Sequence, residues 1–168
     1  MTDSGLLEGL RLAILNERAG ADFYTMAART TTDPRGREVF LILAAEEALH
    51  LRFLKEQYAL VAAGKPPAPL ISATHGAELG TESPIYSEEL RERIGEAHFE
   101  MSALAVGLKL EHETIAHYRA LAAGAAAPEA RHFFEKLVAW EQGHASALSR
   151  QQAQLLESYW QAAGFAPF

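Results

Sequence analysis

Two short motifs in this chain each place a glutamate three residues before a histidine. The first is "AAEEALH", which contains Glu47 and His50, and the second is "VAWEQGH", which contains Glu141 and His144. The first motif lies in a long run of strong helix formers, and positions three apart on a helix share a face. A carboxylate and an imidazole on one face can serve in catalysis or bind a metal ion. A single pair of this kind occurs often by chance, so the rest of the sequence must decide.

The two motifs belong to a repeat, because the halves of the chain match at an offset of 94 residues, the separation of His50 and His144. The matches fall on single helix faces, whereas the other positions differ freely. Glu46 has no counterpart, since Trp140 takes its position. We therefore expect Glu47 to point inward and Glu46 to lie at the surface or behind a ligand. In the first helix of each half, the matched residues are Leu10, Glu17 and Tyr24, and Leu104, Glu111 and Tyr118.

Composition excludes several other kinds of site. The chain contains no cysteine, which rules out disulfides, thiolate zinc sites, iron–sulfur clusters and cysteine nucleophiles. Its formal net charge of −7 argues against binding to nucleic acid or to anionic membranes. The N-terminus lacks the basic start of a signal peptide, and no apolar run approaches the roughly 20 residues of a membrane span. We expect a soluble, cytoplasmic protein.

Proline and glycine divide the chain into two helix pairs. A first pair is predicted over residues 3–63, with its turn at "TTTDPRG", and a second over residues 88–162, with its turn at "GAAAP". Residues 64–87 are rich in turn formers and are interpreted as a long crossover or an insert. No strand pattern is present. The prediction is an all-α four-helix bundle that forms a single domain over residues 1–168.

The charged residues of the repeat all lie near the middle of their predicted helices. In a bundle they would meet at one depth, as four carboxylates and two imidazoles. Buried carboxylates without a counter-charge are strongly unfavourable or remain protonated. Two divalent metal ions would balance the carboxylates, and this oxygen-rich set suits iron or manganese. A metal-free structural bundle is the alternative. The candidate ligands are Glu17, Glu47, His50, Glu111, Glu141 and His144.

Two tyrosines lie two helical turns beyond the glutamates of the first and third helices. Tyr24 and Tyr118 follow Glu17 and Glu111 by seven residues. They are candidates to hydrogen-bond a ligand or to relay an electron. The alternative is that each fills the core beside a polar partner. Trp140 is expected to contribute to packing.

The motifs "ERAGADFY", "AAEEALH", "EHETIAHY" and "AWEQGH" resemble those of the ferritin-like superfamily, and within it the rubrerythrin-like di-iron proteins. The resemblance covers both helix pairs. It implies that the long segment crosses the bundle from end to end, so that the second and third helices are parallel. It also implies two iron ions, with Glu17 and Glu111 as terminal ligands, Glu47 and Glu141 as bridges, and His50 and His144 capping one ion each.

The resemblance implies an oxidoreductase that reacts ferrous iron with peroxide or dioxygen, as a peroxidase or ferroxidase in oxidative stress or iron homeostasis. A non-catalytic iron-binding or storage module is the alternative. We expect no rubredoxin domain, because cysteine is lacking, so a peroxidase would need an external electron-donor protein. Many rubrerythrins carry a further glutamate one turn after the third-helix ligand, where this chain has Thr114. We also expect a homo-oligomer, most simply a dimer, with manganese as an alternative to iron.

Overall fold

Among the residues that the structure describes, the chain forms four long helices and no strand. This computed structural model describes residues 3–68, 90, 95 and 97–164. The helices are α1 (Asp3–Thr30), α2 (Pro34–Ala62), α3 (His98–Gly124) and α4 (Pro128–Ala162). Within these helices no stretch has the length and hydropathy that a membrane span requires. α1 packs on α2 and α3 packs on α4, which confirms the predicted all-α bundle of two helix pairs.

α1 begins at Asp3, α2 ends at Ala62 and α4 ends at Ala162, where the sequence predicted bounds at residues 3, 63 and 162. The predicted start of the second helix pair at residue 88 lies outside the described residues, as do most of the residues before His98, where α3 begins. Most of the predicted crossover, residues 69–87, lies outside the described residues. The assignment of residues 1–168 to a single domain stays a prediction.

The turn inside each helix pair is built in the same way. Both second helices begin with a proline, whose missing N–H lies where a helix leaves its N–H groups unpaired. Arg37 donates to the backbone oxygen of Thr31 at 3.3 Å, and Arg131 donates to that of Ala125 at 3.4 Å. Asp33 adds an N-cap to α2 by accepting from a backbone N–H at 2.7 Å. The matched arginines of the repeat thus stabilise matched turns.

α1 runs antiparallel to both of its neighbours. Only residues 31–33 separate it from α2, and so short a connection makes packed helices antiparallel. Along α1 the chain passes from Glu17, which contacts Tyr118, to Tyr24, which contacts Glu111 earlier in α3. α1 and α3 are therefore antiparallel as well. It follows that α2 and α3 run in the same direction, as the predicted end-to-end crossover requires.

Two apolar clusters fill the bundle, one towards each end of the helices. One contains Tyr24, Phe40, Leu43, Leu104 and Leu148. The other contains Leu10, Leu54, Tyr118, Phe134 and Leu137. Each matched pair of the repeat gives one member to each cluster, as expected for halves related by an approximate two-fold axis. Burial of each large apolar side chain stabilises the fold by roughly 1.5–3 kcal/mol. Between the clusters lies a layer of polar side chains.

Candidate metal centre

Six polar side chains meet in the layer between the two apolar clusters. α1 and α3 contribute one glutamate each, and α2 and α4 contribute a glutamate and a histidine about one turn apart. All six side chains are buried. Because each lies near the middle of its helix, antiparallel packing brings them to the same depth. They are the residues predicted from the sequence: Glu17, Glu47, His50, Glu111, Glu141 and His144.

The six side chains form two overlapping groups. In each group the ligand atoms lie within 4.8 Å of one another, a spacing that could hold a metal ion. Glu47 and Glu141 belong to both groups. The groups are completed by Glu17 and His50 in one and by Glu111 and His144 in the other. The layer thus offers two adjacent positions with two shared carboxylates between them.

The first position lies beside the Nδ1 atom of His50. This atom lies 3.2 Å from Glu17 Oε2 and 3.2 Å from Glu141 Oε1. It lies 3.6 Å from Glu47 Oε2, on the same helix. Three carboxylates from three helices therefore surround one imidazole nitrogen.

The second position lies beside the Nδ1 atom of His144, from which the following distances are measured. Its distances are 3.1 Å to Glu47 Oε1, 3.4 Å to Glu141 Oε2 and 3.8 Å to Glu111 Oε2. The rings of His144 and His50 are nearly parallel, with centroids 5.4 Å apart. The two positions are therefore close neighbours, and each has one imidazole and three carboxylates.

Two tyrosines connect α1 and α3 through the outer glutamates of this layer. Tyr24 on α1 donates a hydrogen bond to Glu111 on α3, and Tyr118 on α3 donates one to Glu17 on α1. A Cβ atom at Gly107 would lie 3.1 Å from the Tyr24 ring, so glycine gives this ring room beside α3. Both rings are fully buried in the apolar clusters. The tyrosines thus hydrogen-bond the candidate ligands and fill the core, so the two interpretations of the sequence are both correct in part.

Hydrogen bonds alone do not satisfy the polar atoms of this layer. Glu47 Oε1, Glu141 Oε1 and His144 Nδ1 are buried and make no hydrogen bond within the part of the chain that the structure describes. Burial of polar atoms without partners is unfavourable, so a further partner is expected. Carboxylate oxygens and imidazole nitrogens that converge on one space make a donor set that fits iron or manganese.

Burial raises the pKa of two of the four glutamates. The pKa of Glu17 lies well above its ordinary value, because the carboxyl is buried and the charge of Glu141 acts on it. Burial likewise raises the pKa of Glu111 to about 8, and the charges of Glu47 and Glu141 add to the effect. Without metal, the carboxyl of Glu111 therefore holds a proton near neutral pH, and the shift at Glu17 favours its protonated form in the same direction.

The other two glutamates and both histidines are shifted towards their charged forms. Burial alone would raise the pKa of Glu47 and Glu141, but hydrogen bonds from neighbouring groups outweigh it and lower both. Burial alone would lower the pKa of His50, but the adjacent carboxylates of Glu141 and Glu17 raise it to about 12. Hydrogen bonds to carboxylates raise the pKa of His144 in the same way. Protons on the histidines and on the buried carboxyls thus offset the negative charge of this layer when no metal is bound, as divalent ions would.

A small cavity of about 50 Å³ lies between α1 and α3 and reaches the polar layer. Gly20 and Thr114, which occupy matched positions of the repeat, both line it. A Cβ atom at Gly20 would lie 3.4 Å from the Cδ atom of Glu47, so the glycine keeps this end of the cavity open. The other lining residues are Asn16, Ala19, Glu47, Leu110, Glu111, Glu113 and Glu141.

Two residues beside the candidate ligands make contacts that the sequence did not specify. Glu46 is only 8% exposed, and its Oε2 atom lies 2.8 Å from Nε2 of His144. Of the two expected placements, surface or behind a ligand, the second is therefore correct. Trp140 packs as expected, and its ring stacks on His50 with centroids 4.9 Å apart. One indication of these contacts was present in the sequence, because Glu46 and Trp140 occupy equivalent positions of the repeat but differ in type.

Comparison with known proteins identifies a family. A protein-family model described as Rubrerythrin matches residues 8–151, a range that contains all six candidate ligands and both tyrosines. No curated protein and no solved structure shows significant similarity to the chain.

Proposed function

Because the chain belongs to the rubrerythrin family, we propose that it is a di-iron carboxylate oxidoreductase that reacts with peroxide or dioxygen. One observation carries the proposal. Two buried groups of potential ligands share Glu47 and Glu141, so two cations held there would be bridged by both carboxylates. A site for a single ion would not need this doubled arrangement.

In this proposal, each iron ion has its own glutamate and histidine. Glu17 and His50 would hold one ion, and Glu111 and His144 would hold the other. Four carboxylates and two neutral imidazoles balance two divalent ions, and manganese would be balanced equally well. When bound, a pair of ferrous ions would supply two electrons, the number that reduces one hydrogen peroxide to two waters with uptake of two protons.

The protein's own residues would orient the carboxylates and limit access of water. The hydrogen bonds from Tyr118 and Tyr24 fix the carboxyl groups of Glu17 and Glu111. The apolar cluster at each end of the layer keeps bulk water out along the bundle axis. Thr114 brings a hydroxyl to the cavity wall, where it can hydrogen-bond a peroxide.

The size of the cavity favours a small inorganic oxidant over an organic substrate. Its volume of about 50 Å³ has room for a few water-sized molecules, since one water needs roughly 10–15 Å³ of such space. Dioxygen and hydrogen peroxide are of this size. An organic molecule would have to separate α1 from α3 to reach the carboxylates.

Turnover with peroxide would also require electrons from outside the chain. No residue of the chain is a cysteine, so a cysteine-ligated iron centre cannot form within these 168 residues. We therefore propose an external electron-donor protein for the peroxidase, and a homo-oligomer, most simply a dimer, as the working form.

The test is anaerobic loading of the full chain with ferrous iron, followed by rapid mixing with either peroxide or dioxygen. We expect two iron ions per chain and oxidation of both, which the change in absorbance measures. The oxidant that reacts faster would identify the activity as peroxidase or ferroxidase. Glu141→Gln should lose this reaction, and Glu135→Gln, an exposed change on the same helix, should keep it. Iron that binds but resists both oxidants would instead support a non-catalytic iron-binding module, and a large native mass would indicate storage.

A further inference from the structure

The repeat is broken at the position directly before the shared glutamate of each half. Every residue of the six-ligand set has a partner of the same type in the other half of the chain. Immediately before Glu47, however, stands Glu46, and immediately before Glu141 stands Trp140. Since the two halves are otherwise related by an approximate two-fold axis, this mismatch distinguishes the two positions.

Glu46 faces the back of the His144 ring. The Nε2 atom of His144 lies 2.8 Å from Glu46 Oε2, and both side chains are buried. A carboxylate can only accept, so the Nε2 atom must carry the hydrogen. When a cation displaces the proton of the opposite nitrogen, Nδ1, that atom offers its lone pair to the space between the carboxylates of Glu47, Glu141 and Glu111. Glu46 thereby selects the tautomer in which Nδ1 of His144 can bind a cation.

The equivalent place beside His50 holds an aromatic ring. Trp140 stacks on His50 at 4.9 Å with an interplanar angle of 15°. An indole has one N–H donor and no conventional hydrogen-bond acceptor, so Trp140 cannot accept a hydrogen from the imidazole as a carboxylate does. This position of the repeat therefore places a carboxylate behind the ring of His144 and an indole beside the ring of His50.

The cavity reaches the carboxylate that belongs to the His144 position alone. Its lining includes Glu111 together with the shared Glu47 and Glu141, and it includes neither Glu17 nor either histidine. An ion that enters through the cavity would therefore meet three of the four ligands of the His144 position, against two of the four at the His50 position. This observation is independent of the contact made by Glu46.

We propose that Glu46 is a positioning residue that makes the two metal positions unequal, so that the position at His144 binds the first divalent cation and binds it more tightly. The position at His50 fills second. This inference rests on the proposed function, because it assumes that the six-ligand layer holds two ions. It extends that function by naming an order of loading and the residue that sets it.

The test is an anaerobic titration of the full chain with Mn²⁺, in which free Mn²⁺ is counted by its electron paramagnetic resonance signal. The wild type should bind two ions in two distinguishable steps. Glu46→Leu should weaken the tighter step by about 10- to 100-fold, the usual effect of removing a carboxylate behind a histidine ligand. Glu46→Gln should have a smaller effect, because its amide oxygen still accepts from Nε2. Glu56→Gln, an exposed change on the same helix, should have none.

A crystal grown with one Mn²⁺ per chain identifies the first position directly. The anomalous peak should lie beside His144 in the wild type and should no longer be confined there in Glu46→Leu. A peak at His50, equal peaks at both positions, or an equal loss of both steps in the Glu46 variants would overturn the inference. Thermal unfolding of the metal-free variants checks that they fold. If the wild type binds no metal at all, the proposed function itself fails, which is a different result from two ions that bind equally.

Discussion

The hydroxyl of Tyr118 on α3 donates a hydrogen bond to the carboxyl of Glu17 on α1. The bond joins the two halves of the repeat across the bundle, and Tyr24 and Glu111 make the same bond in the opposite direction. In each half, the residue that orients a candidate ligand lies seven positions beyond the candidate ligand of its own helix. Each helix pair therefore supplies the tyrosine that hydrogen-bonds the outer glutamate of the other pair.

Replacement of Tyr118 by phenylalanine should affect both stability and metal affinity. The buried carboxyl of Glu17 loses a donor, which should lower the free energy of unfolding by roughly 1–3 kcal/mol. Because the carboxyl is then free to rotate, divalent metal should also bind more weakly. Urea unfolding and metal titration of Tyr118→Phe measure the two effects. Tyr159→Phe, on a half-exposed tyrosine near the end of α4, is the control, and equal behaviour of the two variants would contradict the expectation.

The shared and unshared glutamates should differ in how much metal they retain. Glu47 belongs to both groups of ligand atoms, so Glu47→Ala should lose most of both ions. Glu17 belongs to one group, so Glu17→Ala should lose mainly one ion of the two. Metal analysis after anaerobic loading and desalting gives the stoichiometry. If both variants retained the same amount of metal, the assignment of Glu47 as a bridge would be wrong.

Helical spacing and the repeat were sufficient to identify the six polar side chains. Each lies on the matched face of its helix near the middle, and such faces can only meet in the core of a bundle. The contact of Glu46 with His144 could not be derived in this way, because it depends on the rotation of α2 against α4. The cavity at Gly20 and Thr114 depends on the distance between α1 and α3, which spacing along one helix does not determine.

Metal binding should release protons, with a defined dependence on pH. Near pH 6 the metal-free layer holds protons on Glu111, His50 and His144. Two divalent ions should therefore displace about three protons, and the raised pKa of Glu17 favours release of a further one. Calorimetry in buffers of different ionisation enthalpy counts them. Release should decrease above pH 8, where Glu111 loses its proton, and release of less than about one proton per ion near pH 6 would contradict the charge balance.

The stability of the metal-free protein should respond to Glu111 in the alkaline range. Its pKa is raised to about 8 from an ordinary 4.5, so its contribution is fully present below pH 4.5 and is lost as the pH rises through 8. Glu111→Gln, which mimics the protonated carboxyl, should match the wild type below pH 4.5, become progressively the more stable of the two as the pH rises, and keep a constant advantage above pH 8. Thermal unfolding in the presence of a chelator, from pH 5 to 9, measures the difference. A constant difference across this range would show that Glu111 does not titrate as expected.

Replacement of Gly20 by alanine should slow the entry of the oxidant into the cavity without lowering the stability of the fold. The new Cβ atom would lie 3.4 Å from Glu47, an ordinary contact, so the fold should tolerate it. Alanine also favours a helix over glycine by about 1 kcal/mol, so unfolding should be no easier. The methyl group would narrow the inner end of the cavity, however, and iron oxidation by peroxide or dioxygen should slow several-fold while two ions still bind.

Gly143→Ala is the matched control, since a Cβ atom there has nothing within 4 Å. It brings the same gain in helix propensity on α4, away from the cavity, and should leave the oxidation rate unchanged. Oxidation at the wild-type rate in Gly20→Ala would mean that the oxidant reaches the centre by another path.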